Sequence, residues 1–332
     1  MQFAPRWVRY SLTNRRNLWI VLFLALVIVS VWYLKTPSLG TESMELPEEL
    51  NEVLFETECF SHNPYVLFFN RIPKSGSTTL QDFFRTLSNL VDVETDIYPE
   101  GATKWTLSKI EEVENRAMAL LKRAKLMHGG HGMDGYSPRG IYIQHFYYTE
   151  FPGLSAFGMN YGYITLVREP VDRVISAYYY YHFTKNFKIP VEDKMTSLSD
   201  CVKNELYGCE ANIMTQYFCG HEDSCVSKNG DHKYALYTAK QNLLKYIAIG
   251  LTEDFLSSIK LFQKLLPDIL PRFVELPTSL KKQNANEIDY KKDVSESDRI
   301  LIREKNVLDI QIYAFAKDLF DAKLKECSIS GE

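Results

Sequence analysis

Along this chain, apolar residues fall into one long unbroken run and a series of short runs separated by amphipathic stretches. The long run, Leu18 to Leu34, reads LWIVLFLALVIVSVWYL without a charge; as a helix it reaches about 25 Å, a short membrane span. Arg6, Arg9, Arg15 and Arg16 precede it, and Glu42, Glu45, Glu48, Glu49 and Glu52 follow. The positive-inside rule then predicts a cytosolic tail over 1–17, a signal-anchor over 18–34, and the remainder across the membrane. A cleaved signal peptide is the competing reading, but the run exceeds the usual apolar core of such peptides. Lys35-Thr36-Pro37 also offers no small-x-small cleavage site. Residues 35–62 contain Pro, Glu and Ser without periodicity and read as a stem, leaving 63–332 as the folded domain.

Within that domain, short apolar runs alternate with helical patterns, which predicts an α/β fold with a central, mainly parallel sheet flanked by helices. Strands are expected at Tyr65 to Asn70, Ile141 to Ile143, Tyr163 to Val167 and Tyr246 to Leu251. The first leads through a loop rich in Pro, Lys, Ser and Gly into a helix from Thr78 to about Leu90. The third leads through Arg168-Glu169-Pro170 into a helix reaching Phe183, with Pro170 suited to its first turn. Thr252 is the expected N-cap after the last strand, with Glu253 and Asp254 beside the helix dipole. Lys104 to Lys125 and Ser297 to Glu326 read as long helices with apolar core faces. No internal repeat interrupts this pattern.

Composition changes the picture in two ways. A 332-residue chain that is 45% hydrophobic and carries a formal charge of -4 has no overall field for polyanions; any such partner must be held by a local basic cleft. Nucleic acid is not an expected partner. The six cysteines form an even set, as suits an oxidising compartment. The expected pairs are Cys201 with Cys209 and Cys219 with Cys225, leaving Cys59 and Cys327 to join the ends of the domain if geometry allows. A zinc site using His221 beside Cys219 and Cys225 is the alternative, although its spacing fits no ordinary finger.

Candidate chemistry concentrates at the ends of two predicted strands. In Asn70-Arg71-Ile72-Pro73-Lys74-Ser75-Gly76-Ser77-Thr78-Thr79, backbone N–H groups and hydroxyls at a helix start can surround a phosphate, with Lys74 as fixed positive charge. This is not a Walker A sequence, because the lysine precedes the glycine, so an ATP-using enzyme is disfavoured. The second constellation runs from Leu166 to Ser176, where Arg168 and Ser176 can grip another phosphate. Arg173 is expected to pair locally with Glu169. The two loops together describe a ligand with two phosphate-bearing ends.

Pro-Lys-Ser-Gly-Ser-Thr-Thr, 73 to 79, resembles the 5'-phosphosulfate loop of the PAPS-dependent sulfotransferases, and Arg168 through Ser176 resembles their 3'-phosphate motif. Asn-Arg-Ile-Pro-Lys at 70 to 74, Arg-Glu-Pro-Val-Asp-Arg at 168 to 173 and Tyr-Phe-Cys-Gly-His at 217 to 221 are similar to the heparan sulfate 2-O-sulfotransferase and uronyl 2-O-sulfotransferase family. The likeness extends through most of residues 65 to 326. It implies the P-loop-like sulfotransferase fold, a Golgi type II membrane protein with a lumenal catalytic domain, and the two small disulfide loops at Cys201/Cys209 and Cys219/Cys225. It also implies PAPS (3'-phosphoadenosine 5'-phosphosulfate) as donor, no metal, and a homo-oligomer as a possible state. The donor residues so implied are Arg71, Lys74, Ser75, Gly76, Ser77, Thr78, Thr79, Arg168 and Ser176.

The family's general base is a histidine, and the matching stretch Gln144-His145-Phe146-Tyr147 assigns that role to His145, with Lys74 stabilising the leaving group. His131 and His128, in a Gly-rich run, are the alternatives. The implied reaction is transfer of a sulfuryl group to the 2-hydroxyl of a hexuronic acid in heparan sulfate. Dermatan or chondroitin sulfate is the alternative acceptor, and a Golgi membrane protein that binds adenosine 3',5'-bisphosphate without turnover is the alternative from another class. Arg71, Lys185 and Lys188 are the candidate contacts to the glycosaminoglycan, together with the more distant Lys281 and Lys282. Tyr178 to Tyr181 can stack on sugars, although a helix must turn part of that series to the core. The chain departs from the family at Ala177, where an aromatic residue is usual, and in a thinner basic run after Phe183.

Overall fold

Val66-Leu67-Phe68-Phe69 is apolar on both faces, the pattern of a strand covered on both sides, and it lies at the centre of the sheet. A computed structural model of the protein describes residues 59–88, 93–97, 106–127, 139–183, 196–226, 230–271 and 294–330, within one compact unit, Leu54–Glu332. The tail, the span at 18–34 and nearly all of the stem lie outside these residues. Among the described residues no helix is long and apolar enough to cross a membrane.

Five parallel strands form one sheet in the order β2-β3-β1-β4-β5: β1 Val66–Arg71, β2 Val93–Ile97, β3 Arg139–Gln144, β4 Tyr161–Val167 and β5 Ala248–Leu251. The expected parallel α/β architecture is therefore present, with one strand more than anticipated. Val-Glu-Thr-Asp-Ile of β2 carries two acids, which masks it as a hydrophobic run and suits its place at the sheet edge. In register, Asn70 stands beside both Gln144 and Thr165, so the chain leaves β1, β3 and β4 at one common edge. A ligand site is favoured there, outside the carboxyl ends of parallel strands.

Helix α1, Ser77–Ser88, follows β1; α2, Leu107–Met127, packs on β2 and β3; and the short α3, Pro152–Ala156, precedes β4. Helix α4, Pro170–Phe183, leaves β4. After it come α5 Leu198–Asn204, α6 Ile213–Cys219, α7 Asp223–Val226 and α8 His232–Leu243, with α8 packed on α6. Helix α9, Phe255–Leu265, packs on β5. Its N-cap is Asp254, whose carboxylate accepts from Ser257 N at 3.3 Å, not Thr252. The Thr252 hydroxyl donates to Val167 O at 2.9 Å instead, tying β5's exit to that of β4.

The expected single helix from 297 to 326 is two, α10 Glu296–Lys305 and α11 Val307–Glu326, broken at Asn306. The amide of Asn212 enters the break. Its Nδ2 donates to Lys305 O at 3.3 Å, and its Oδ1 accepts from Leu308 N at 3.1 Å and Asp309 N at 3.3 Å. Asn306 reciprocates, accepting from Asn212 N at 3.1 Å and donating to Ile302 O at 2.9 Å. One pair of asparagines thus caps the end of α10 and the start of α11 together. No apolar periodicity records such a break, so the sequence pattern runs straight through it.

The cysteines pair as Cys201–Cys209, Cys219–Cys225 and Cys59–Cys327. The second bond consumes the thiolates that a zinc site at His221 would have needed. Beneath β1 the core is aromatic: Phe68 lies 4.2 Å from Phe151 and 5.6 Å from Tyr163, both stacked, with Tyr142 at 5.5 Å. This packing fixes the strand ends from which the functional side chains project.

Candidate functional site

The loop between β1 and α1 is pinned from below by Ile72, which is fully buried. Above it Lys74 and Gly76 both take the left-handed backbone, at φ 65° and 68°. At Gly76 a Cβ would also sit 3.2 Å from Thr252 Cγ2, so the left-handed backbone favours glycine there and a side chain would crowd Thr252. The tight loop closes with Ser75 N donating to Ile72 O at 3.4 Å, and it buries Ser75 entirely. The Ser75 hydroxyl has no hydrogen-bond partner. A buried hydroxyl left in that state beside a helix start fits an anion that would supply its acceptor. Helix α1 has no acid in its first turn to compete for that role.

Two arginines frame the loop. Arg71 reaches forward, its Nε 3.4 Å from Ser77 Oγ and its Nη2 3.5 Å from Thr78 Oγ1. Arg168, half-buried at the end of β4, donates from Nη1 to Lys74 O at 3.3 Å. Pro170 opens α4, and Glu169 Oε2 accepts from Asp172 N at 2.8 Å. The expected Arg173–Glu169 pair does not form. Arg173 turns inward and is completely buried, with Nη2 3.5 Å from Glu210 O and the Asp309 carboxylate acting on it across the core. Ser176 is buried on α4, two turns from Arg168.

At the end of β3, His145 Nδ1 lies 2.8 Å from Arg71 O. A carbonyl can only accept, so Nδ1 carries the proton and Nε2 keeps its lone pair. Burial, reinforced by the positive charge of Arg71, pulls the pKa of His145 down to about 4, with the hydrogen bond to the Arg71 carbonyl opposing. The ring is therefore neutral at physiological pH. Burial, then the nearby Arg168, lowers Lys74 to about 8. Its ammonium lies 3.4 Å from the centroid of the Tyr180 ring.

The strands thus bring Arg71, Lys74, Arg168 and His145 into one contiguous set around a strained loop, with Ser75, Ser77 and Thr78 in its wall and the half-buried Thr79 just behind. Lys185, Lys188, Lys281 and Lys282, and the alternative bases His128 and His131, lie outside the described residues. Of the tyrosine series, Tyr178 faces inward and donates to Thr196 O at 2.8 Å, whereas Tyr180 remains exposed. The contact from Tyr180 to Lys74 was not legible as such, although its position four residues after Ser176 puts both on one helix face. Thr252, the floor under Gly76, was legible in the sequence as a helix cap but not as part of this site. Among the described residues, His182, Cys201 and Cys209 come close enough to hold a metal ion, but both sulfurs are committed to a disulfide.

Against known proteins, residues 58–316 match the family model described as "Sulfotransferase family". A Caenorhabditis elegans protein named heparan sulfate 2-O-sulfotransferase hst-2 is 27% identical over 277 residues, covering 79% of this chain and 80% of its own. A Drosophila melanogaster heparin sulfate O-sulfotransferase is 26% identical over 272 residues, covering 79% and 71%. Human heparan sulfate 2-O-sulfotransferase 1 is 24% identical over 273 residues, covering 77% and 70%. Mouse sulfotransferase SULT7A1, crystallised with PAP, aligns over 75% of this chain and 72% of its own at 16% identity with a TM-score of 0.35.

Proposed function

The chain belongs to the sulfotransferase family, and on that premise we propose that it transfers a sulfuryl group from PAPS to the 2-hydroxyl of a hexuronic acid in heparan sulfate. The acceptor is read from the names of its relatives. The observation that carries the chemistry is the 2.8 Å contact between His145 Nδ1 and Arg71 O. It fixes the tautomer that offers Nε2 as acceptor, and it joins that base through Arg71 to the loop of Lys74.

In this reading the acceptor hydroxyl gives its proton to His145 Nε2 as its oxygen forms a bond to sulfur. The bond from sulfur to the bridging phosphate oxygen breaks, and adenosine 3',5'-bisphosphate departs. Lys74 meets the negative charge growing on that bridging oxygen, a role in which fixed charge and positioning dominate. Arg168 and Ser176 would hold the 3'-phosphate, and Ser75, Gly76, Ser77, Thr78 and Thr79 the 5' end. The low pKa of His145 suits a group that must be neutral before catalysis. Developing negative charge on a bound donor would offset the Arg71 field and strengthen the base when it is needed.

A Golgi membrane location, with the catalytic domain lumenal, belongs to the same proposal. It is supported by the apolar run at 18–34 and its flanking charges, and by three disulfides of the kind kept in oxidising compartments. The test uses residues from Thr41 onward with labelled PAPS and a panel of desulfated heparan, chondroitin and dermatan in the presence of EDTA, followed by disaccharide analysis. Label at uronate O-2 of the heparan-type polymer, abolished in His145→Ala, is the expected result. Label on dermatan alone would move the acceptor. Bisphosphate binding with no transfer to any polymer would sink the enzymatic reading.

A further inference from the structure

Tyr180 has no part in the reaction described above, yet the centroid of its ring lies 3.4 Å from the Lys74 Nζ. Three features converge on this contact. Lys74 is the loop's non-glycine residue in left-handed backbone, at φ 65°, so its direction is imposed by the loop and not by rotamer preference alone. Tyr180 stands one helical turn beyond Ser176 on α4, so the helix that presents a phosphate-binding hydroxyl presents this ring on the same face. Finally, Tyr180 keeps 40% of its surface exposed, while Tyr178 two residues earlier is buried. Its ring is thus placed at the mouth of the site and is not part of the core. The Tyr180 hydroxyl also lies near enough to Arg71 to act on it electrostatically.

We propose that Tyr180 is a positioning residue for Lys74, its ring face holding the ammonium charged and aimed across the loop mouth until an anionic donor draws it away. The physical need is clear from the surroundings. Lys74 is largely desolvated and lies beside Arg168, whose like charge repels it, while Arg85, Asp82 and Tyr217 bear on Arg71 behind it. No carboxylate forms an ion pair with Lys74 among the described residues. A carboxylate there would hold the lysine firmly and would repel a phosphosulfate; an aromatic face stabilises the cation without adding a negative charge. Tyr180 thus keeps a leaving-group lysine protonated in a basic site without competing electrostatically with the donor.

This inference rests on the proposed role of Lys74, and its test is read first without catalysis. In the folded lumenal protein, the pH at which Lys74 becomes acetylated by a dilute anhydride is followed by mass spectrometry for wild type, Tyr180→Phe, Tyr180→Leu and Tyr180→Trp. Leucine removes the π face while keeping bulk. It is expected to lower the Lys74 midpoint by about one pH unit. Phenylalanine should leave the midpoint in place and tryptophan should raise it. Equal midpoints in the leucine and phenylalanine variants would overturn the proposal. If the leucine variant loses cooperative melting, the tryptophan and phenylalanine variants decide instead, and equal midpoints there would be equally damaging. The alkaline limb of the transfer rate should move with the midpoint. A wild-type protein that transfers no sulfuryl group would refute the functional reading while leaving the titration to judge the contact separately.

Discussion

Two polar clusters in this molecule are built on opposite terms. At the break between α10 and α11, the side-chain nitrogen and oxygen of both Asn212 and Asn306 are hydrogen-bonded. Asp309 beside them accepts from Met214 N at 3.0 Å, and from Thr215 N and Oγ1 at 2.8 Å each. At the mouth formed by β1, β3 and β4 the opposite holds: Ser75 Oγ is buried without a partner, Lys74 rests on a ring, and His145 Nε2 is left with its lone pair. Asn212, Asn306 and Asp309 find their partners within the fold, which is how polar groups come to serve structure. The second cluster is incomplete, and its missing partners describe what it binds.

The contrast is broken most forcefully at Asp309. Burial raises the pKa of this carboxyl, against the opposing pull of Arg173 and three hydrogen bonds. Asp309→Ala would strip buried Arg173 of the largest opposite charge acting on it, ahead of Glu210, and remove the acceptor of three hydrogen bonds; a loss of about 3 kcal/mol in urea unfolding is expected. Lys74→Ala should do the reverse, leaving the melting temperature nearly unchanged while turnover falls by about a hundredfold to a thousandfold. A variant of Lys74 that unfolds, or one of Asp309 that is inactive but fully stable, would erase the distinction. Asn212→Ala should cost about 1 to 2 kcal/mol of stability with donor affinity retained, as for the loss of a helix cap.

Smaller effects sharpen the comparison through protons. With Lys74 at about 8, bisphosphate binding at that pH should draw about half a proton onto the lysine, seen as a buffer-dependent heat in calorimetry and lost in Lys74→Met. His145 has the other sign of consequence. Its native pKa of about 4 lies below the ordinary 6.5, so between those values the unfolded chain binds the extra proton, and stability falls as pH is lowered through that window. In His145→Gln this part of the acid dependence should flatten.

The sequence patterns resolved what hydrophobic runs encode. Four strands stood out because they are buried on both faces, and the glycine and lysine of the β1–α1 loop stood out because an anion site at a helix start has few alternative compositions. What escaped was set by tertiary partners. Edge strand β2 carries too much charge to register as an apolar run. The division at Asn306 depends on an asparagine almost a hundred residues away, and the inward turn of Arg173 depends on Asp309, which the sequence places on another helix. At the site, His145 was legible as a candidate only through family resemblance; its tautomer required the carbonyl of Arg71, which no pattern reveals. Thr252 illustrates the same point, since a plausible cap by local rules is used instead to clasp β4 and to floor Gly76.

The Cys59–Cys327 bond links the lead-in to β1 with the residue that ends α11. Mechanically, it makes the point where the preceding chain enters the domain a branched joint. Tension arriving along the residues before Cys59 is shared between the path into the central strand and the covalent path into the last helix. A pull on this domain from its N-terminal side therefore loads two distant parts of the fold at once, and the strand that carries the Lys74 loop need not bear it alone.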